Sequence, residues 1–155
     1  MPSRADRLPQ VSWVGVLVGA VAVLIINTAT SLFVAPFFAS ALIYLDSIVV
    51  LGALSVLSSL FRAMAGIFAG RAFRARRVVT ERTNYLLTGL LAGALGWLLW
   101  SGLVLALGDA QMFTSARGWI ELPRWMAEVA LGTLLVSVDP PAPLRFRTRS
   151  LVGQR

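Results

Sequence analysis

Cysteine, histidine and lysine are all missing from this chain. Without cysteine there are no disulfides, thiolate nucleophiles or iron–sulfur ligands. Without histidine as well, Cys/His zinc sites go, and so do the usual axial ligands of a membrane b-type haem. The lack of cysteine carries no message about redox compartment. Acid is scarce too: Asp6, Asp46, Glu81, Asp109, Glu121, Glu128 and Asp139 are the only carboxylate side chains, and no two share the spacing of a known metal loop. The expectation is therefore no catalytic set, no metal site and no cofactor. Charged residues make up 14% and hydrophobic ones 57%, where soluble domains carry about 25% and about 45–50%. With a mean hydropathy of +0.78, the composition is that of a membrane protein, long enough for one small helical bundle.

Arginine carries all of the positive charge, as codon usage in a GC-rich bacterial genome favours, and its placement is the strongest signal. Arg4 and Arg7 lie at the start, six arginines lie between residues 62 and 82, and four lie in the tail, leaving only Arg117 and Arg124 elsewhere. Hydrophobic stretches separate these clusters. The positive-inside rule then orients a four-span protein with both termini cytoplasmic, and the net charge of +7 reports topology rather than nucleic-acid binding. The expected fold is an all-α integral membrane four-helix bundle, N-in and C-in, in a bacterial cytoplasmic (inner) membrane.

The spans are read as about 11–30, 37–61, 85–107 and 119–138, with 139–155 a flexible cytoplasmic tail. Residues 11–60 are too long for one crossing at about 1.5 Å per residue against about 30 Å of hydrocarbon. The polar run Asn27, Thr28, Thr30 and Ser31 followed by Pro36 places a hairpin there, since the residue before proline is pushed out of helical geometry. Arg4 and Arg7 resemble the charged region of a signal peptide, but no small-x-small cleavage pattern follows directly, and the first span reads as retained. Between spans 2 and 3, Phe61, Met64, Ala65, Phe68 and Ala72 recur at helical spacing with Arg62, Arg74, Arg76 and Arg77 pointing elsewhere. This reads as a basic amphipathic segment on the cytoplasmic side, either an extension of span 2 or an interfacial helix. Thr83 or Asn84 is the expected N-cap of span 3. Trp119 and Trp125 fit an outer aromatic belt for span 4.

Three groups of residues are candidates for function. Asp46 is the carboxylate enclosed by apolar sequence, and an ionisable group within a span is an ion or proton site by default, with Asn27 or Thr28 as donors from a neighbouring helix. Placed at the interface it becomes structural. Glu121, Arg124 and Glu128 share one helix face, where Arg124 can pair with either carboxylate; the face reads as self-neutralising or as an outer charged vestibule. Gly15 and Gly19 in span 1, and Gly89, Gly93 and Gly96 in span 3, allow close helix approach, within the bundle or against another chain.

The segment carrying Gln111, Ser115, Pro123, Trp125 and Gly132 resembles the fourth-span region of small subunits of TRAP-type transporters. That resemblance implies a transporter membrane subunit. Spans 1 and 2 carry no counterpart, so no residue role follows from it. The expected function is a non-enzymatic membrane subunit that scaffolds or stabilises a larger complex, its partners being the lipid bilayer and other membrane subunits or further copies of itself. The alternatives are a transporter or channel subunit using Asp46 and a holin-like pore former.

Overall fold

The computed structural model describes residues 11–44, 46–75 and 81–138, and every long element among them is helical. Helix α1 (Trp13–Ala29) starts at Ser12, whose hydroxyl accepts from the Gly15 amide at 3.3 Å. A π-helical turn, Thr30–Val34, joins it to α2 (Ala35–Ala41). Then come α3 (Ser47–Arg74), α4 (Arg82–Ala106), the single turn α5 (Gln111–Thr114) and α6 (Ala116–Val138).

The hairpin expected at Asn27–Pro36 is not there. The chain runs as one 29-residue helical rod from Trp13 to Ala41. Pro36 has no amide to donate and its ring crowds the preceding turn, which ordinarily breaks a helix. Here the wider turn absorbs it: the Ala35 amide donates to the Thr30 carbonyl, five residues back, the bond of a π-bulge. Thr28 and Thr30 do not open a loop. Their hydroxyls fold back onto the Leu24 and Ile26 carbonyls, both at 2.8 Å. Reversal comes later, between the end of α2 at Ala41 and the start of α3, so span 2 starts at Ser47 rather than Phe37.

Helix α3 continues unbroken to Arg74, so the amphipathic segment is its extension, as far as the described residues reach. Its faces differ from those expected at Arg62, Met64 and Phe68, while Arg76 and Arg77 lie outside the described residues. Met64 and Phe68 face outward, while Arg62, Ala65, Gly66, Ala69, Gly70 and Phe73 are buried. A bundle surrounded by lipid turns its large apolar side chains out and its small or polar ones in. Helix α4 begins slightly before the expected cap: Glu81 occupies the cap position and its carbonyl accepts from Asn84. It ends on Gly108 at φ +93, with Gly108 donating to Leu105 and Asp109 to Val104. That pattern is a Schellman stop, whose left-handed residue favours glycine. The Ser115 hydroxyl caps α6, accepting from Gly118 at 3.1 Å.

The four long helices form one bundle in the ring order α1, α3, α6, α4. Gly15 meets Thr88 and Gly19 meets Ala92, so α1 and α4 run in the same direction; Gly66 meets Gly132 and Gly70 meets Val136, so α3 and α6 do too. The two pairs are antiparallel to each other, since Gly89 lies against Ala130 and Gly19 against Ala69. One end of the bundle gathers the start of α1, the end of α3, the start of α4 and the end of α6, with Phe73 edge-on to Tyr85 at 4.8 Å and Val136 beside them. The other end carries the reversal between α2 and α3 and the α4–α6 connection. The core between them is mostly alanine, glycine and valine, with Trp97, Trp125 and Val129.

Three helices are long and apolar enough to cross a membrane: Trp13–Ala41, Ser47–Arg74 and Arg82–Ala106. Helix α6, with its charged first half, is not among them. These helices suggest a membrane protein.

Candidate functional site

The charges that the apolar sequence cannot hide converge on the seam between α3 and α6. Because these helices run in the same direction, residues on one meet residues on the other at a constant offset. Ser55 and Ser59 reach Arg124, and Arg62 reaches Glu128. Arg62 sits in the middle of α3 and is only 5% exposed. Its Nε donates to Glu128 Oε2, and its guanidinium lies 4.9 Å above the Trp125 ring, a cation–π arrangement that favours an arginine away from water.

Arg124 is the hub. Its Nε donates to Glu128 Oε1 at 2.9 Å and its Nη1 to Glu121 Oε1 at 3.2 Å. Its Nη2 donates to the Ser55 and Ser59 hydroxyls at 2.7 and 2.8 Å. Glu121 uses its second oxygen to accept from Trp125 Nε1 at 3.2 Å. Glu128 therefore lies between two guanidiniums, and the network Arg62–Glu128–Arg124–Glu121 ties the two helices together. A carboxylate beside two arginines leaves no uncompensated buried charge.

The seam is open along one side. A cleft of about 260 Å³ is lined by Ser55, Ser58, Arg62, Arg117, Glu121 and Arg124. On the other side of Arg124 a second cleft of about 290 Å³ is lined by Ser59, Glu128 and the apolar Val56, Leu60 and Leu131. Arg117, exposed at the start of α6, forms no ion pair among the described residues.

The structure thus brings Glu121, Arg124 and Glu128 together and adds Arg62, which the charge count had assigned to the cytoplasmic cluster. The sequence carried one signal for it: Arg62 is flanked by apolar residues and stands apart from the 71–82 cluster. Trp125 is likewise a core residue rather than part of an aromatic belt, whereas Trp119 stays exposed with its Nε1 donating to the Phe113 carbonyl at 3.0 Å.

Asp46 is elsewhere. Because the turn comes later than expected, it is exposed and starts α3, its Oδ1 accepting from the Ile48 amide at 2.8 Å. It is an N-cap at a helix end rather than a carboxylate nine residues into a span. Neither expected donor reaches it: Thr28 is bound to its own helix, and Asn27 is buried on α1 with no partner for its amide nitrogen among the described residues.

All five glycines singled out from the sequence face neighbours within the bundle. Gly15 and Gly19 face α3 and α4, Gly89 and Gly93 face α6, and Gly96 faces Val23. Gly66, Gly70 and Gly132, not singled out, form the α3–α6 crossing. Gly132 makes the closest approach, since an added Cβ would overlap the Ala63 carbonyl.

Among the described residues no three metal-ligating side chains converge, and Glu121 and Glu128 are both engaged by arginine. The network is built to hold two helices and to present positive charge at a cleft. No family model, curated protein or solved structure matches this chain.

Proposed function

We propose that the chain is a four-span subunit of a bacterial cytoplasmic membrane, both termini cytoplasmic, that joins and stabilises a larger membrane complex rather than carrying out a reaction. The observation that supports this is a conflict of depth. The tip formed by α2 and the start of α3 exposes Phe33, Phe37, Ile43, Tyr44, Ile48 and Val49, and α2 buries nothing. Ser55 and Ser59, which hold Arg124, lie roughly 12–18 Å further along α3 by helical rise.

If the tip lies at the membrane surface, the charged seam and its open cleft lie within hydrocarbon. Charged side chains there cost upwards of about 2.5 kcal/mol each on insertion scales. If the seam lies at the surface, the apolar tip stands in water, an exposed patch of the kind that marks an interaction site. A lone chain satisfies one set of residues at the expense of the other. A partner subunit covering the tip removes the conflict and leaves the seam at interface depth.

The crossing of α6 fits the same reading. Its charges face α3, so the helix is less polar to its lipid surroundings than its sequence implies, with Leu131, Leu135 and Val138 outward. The transporter alternative took Asp46 as its ion-sensitive group, and an exposed helix cap gives that role no support.

The test is extraction from native membranes in a mild detergent followed by size analysis. The expected result is a discrete assembly larger than the 16.7 kDa chain with a defined second membrane protein, which Phe37→Ser and Ile43→Ser release. A chain that migrates alone, with those variants indistinguishable from the parent, overturns the reading.

A further inference from the structure

The basic cleft on the α3–α6 seam carries an inference of its own. Arg62, Arg117 and Arg124 line it or point into it, opposed by Glu121 and, behind, Glu128. Three guanidiniums against two carboxylates leave one positive charge over. The pairings place that surplus at Arg117, since Arg62 and Arg124 are both bonded to the carboxylates. Ser58 adds a hydroxyl on the same wall. Arginine and serine donors converging on a pocket of this size suit a tetrahedral oxyanion.

The cleft does not stand alone. Immediately past Arg124 it gives way to the second cleft, where Val56, Leu60, Ala63 and Leu131, the last of these 61% exposed, lie beyond Ser59 and Glu128. A basic pocket at one end and an apolar trough at the other match an amphiphile rather than a small soluble anion. We propose that the seam binds an anionic phospholipid, its phosphate against Arg117, Arg124 and Ser58 and an acyl chain along Val56, Leu60 and Leu131. The recognised chemistry is a phosphate group; the trough assigns it to a lipid instead of free phosphate. The site runs from the middle of α3 toward its start, away from the end that holds Arg71, Arg74 and Arg82. It rests on the seam lying at interface depth, as proposed above.

The experiment uses the full chain purified in a neutral detergent. Binding is read by native mass spectrometry and by thermal stability, with phosphatidylglycerol, phosphatidylcholine and inorganic phosphate added separately. Phosphatidylglycerol is expected to bind one-to-one and raise the melting temperature, with phosphatidylcholine and inorganic phosphate giving little response. Arg117→Ala should weaken phosphatidylglycerol about fivefold, the worth of one basic residue facing an anionic headgroup, while the lipid-free melting temperature stays unchanged. Leu131→Ser should weaken it independently, through the chain rather than the headgroup.

Equal binding of the two lipids, or unchanged binding in Arg117→Ala, overturns the proposal. A response to inorganic phosphate as strong as that to phosphatidylglycerol reassigns the cleft to a soluble anion and overturns the lipid. No response to any of the three, with Arg117 instead cross-linked to a carboxylate of another membrane protein, gives the cleft to a partner helix and also overturns it. The isolated chain tests the lipid and native membranes test the complex, so either reading can fail without the other.

Discussion

Arg62 and Glu128, 66 residues apart in sequence, pair side by side at the centre of the α3–α6 seam, with Trp125 beneath the guanidinium. Arg62 is buried and Glu128 partly so, their side chains 6% and 13% exposed, so the halves are not equivalent to surface charges. Removing one leaves the other with its desolvation cost and less of its compensation, which costs about 3–5 kcal/mol for a buried pair. Arg62→Ala and Glu128→Ala should therefore each lower thermal stability strongly. Glu128→Ala should be the worse of the two, because it strips a partner from Arg124 as well. The double variant Arg62→Leu/Glu128→Leu should recover much of the loss, since an apolar pair of similar bulk leaves neither charge unpaired. Unfolding in detergent decides it: strictly additive losses would mean that the two residues do not act as a pair.

Helix approach gives a graded series. A side chain at Gly132 would run into the Ala63 carbonyl, and one at Gly93 would meet Met126 Cα and the Trp125 carbonyl at 2.7 Å, backbone that cannot swing aside. Gly52 and Gly102 face open space. Gly132→Leu and Gly93→Leu should each destabilise by at least about 1–3 kcal/mol, the cost of overpacking a filled site. Gly52→Ala and Gly102→Ala should hold or slightly raise stability, because alanine is the better helix former. A chain that tolerates leucine at Gly132 would contradict the close crossing of α3 and α6.

What could be read from the chain was whatever a single helix determines by itself. The all-helical fold, the long α4 and the Glu121–Arg124–Glu128 face are properties of periodicity and local spacing. The turn was not, because proline and a polar run have two solutions in an apolar stretch, a loop or a π-bulge with hydroxyls bonded back onto the helix. Choosing between them depends on what the helix packs against. Arg62 was missed for a related reason. Its charge sits in apolar sequence as Asp46 does, but only the parallel alignment of α3 with α6 shows that it meets a carboxylate while Asp46 meets its own backbone. Glycines at Gly66, Gly70 and Gly132 became meaningful by the same juxtaposition.

Asp46 now has a smaller and sharper role. As the N-cap of α3 it accepts from the Ile48 amide, a function that asparagine can perform and alanine cannot. Asp46→Asn should be nearly neutral, and Asp46→Ala should cost about 1 kcal/mol of stability. Leucine there should do no better than alanine. Melting temperatures of the three variants check this. Loss of assembly or of any transport signal in Asp46→Asn, with the cap intact, would restore a role for the titratable carboxylate.

Topology is the prediction on which the membrane reading depends most. The start of α1, the end of α3, the start of α4 and the end of α6 share one end of the bundle. Arg71, Arg74 and Arg82 lie at that end, which the proposed topology sets in the cytoplasm by the positive-inside rule. Reporter fusions after Arg82 and after Arg149 should both read cytoplasmic, and one between Gly108 and Gly118 should read external. The third fusion is the discriminating one, because helix α4 is 25 residues long and apolar over most of its length, enough to span about 30 Å of hydrocarbon with some tilt. If that loop reads cytoplasmic, α4 does not cross and the four-span reading fails. If it reads external but the tail does too, α6 does not cross, and the packing of Gly70 against Val136 at the end of the bundle that holds the start of α1 fails with it.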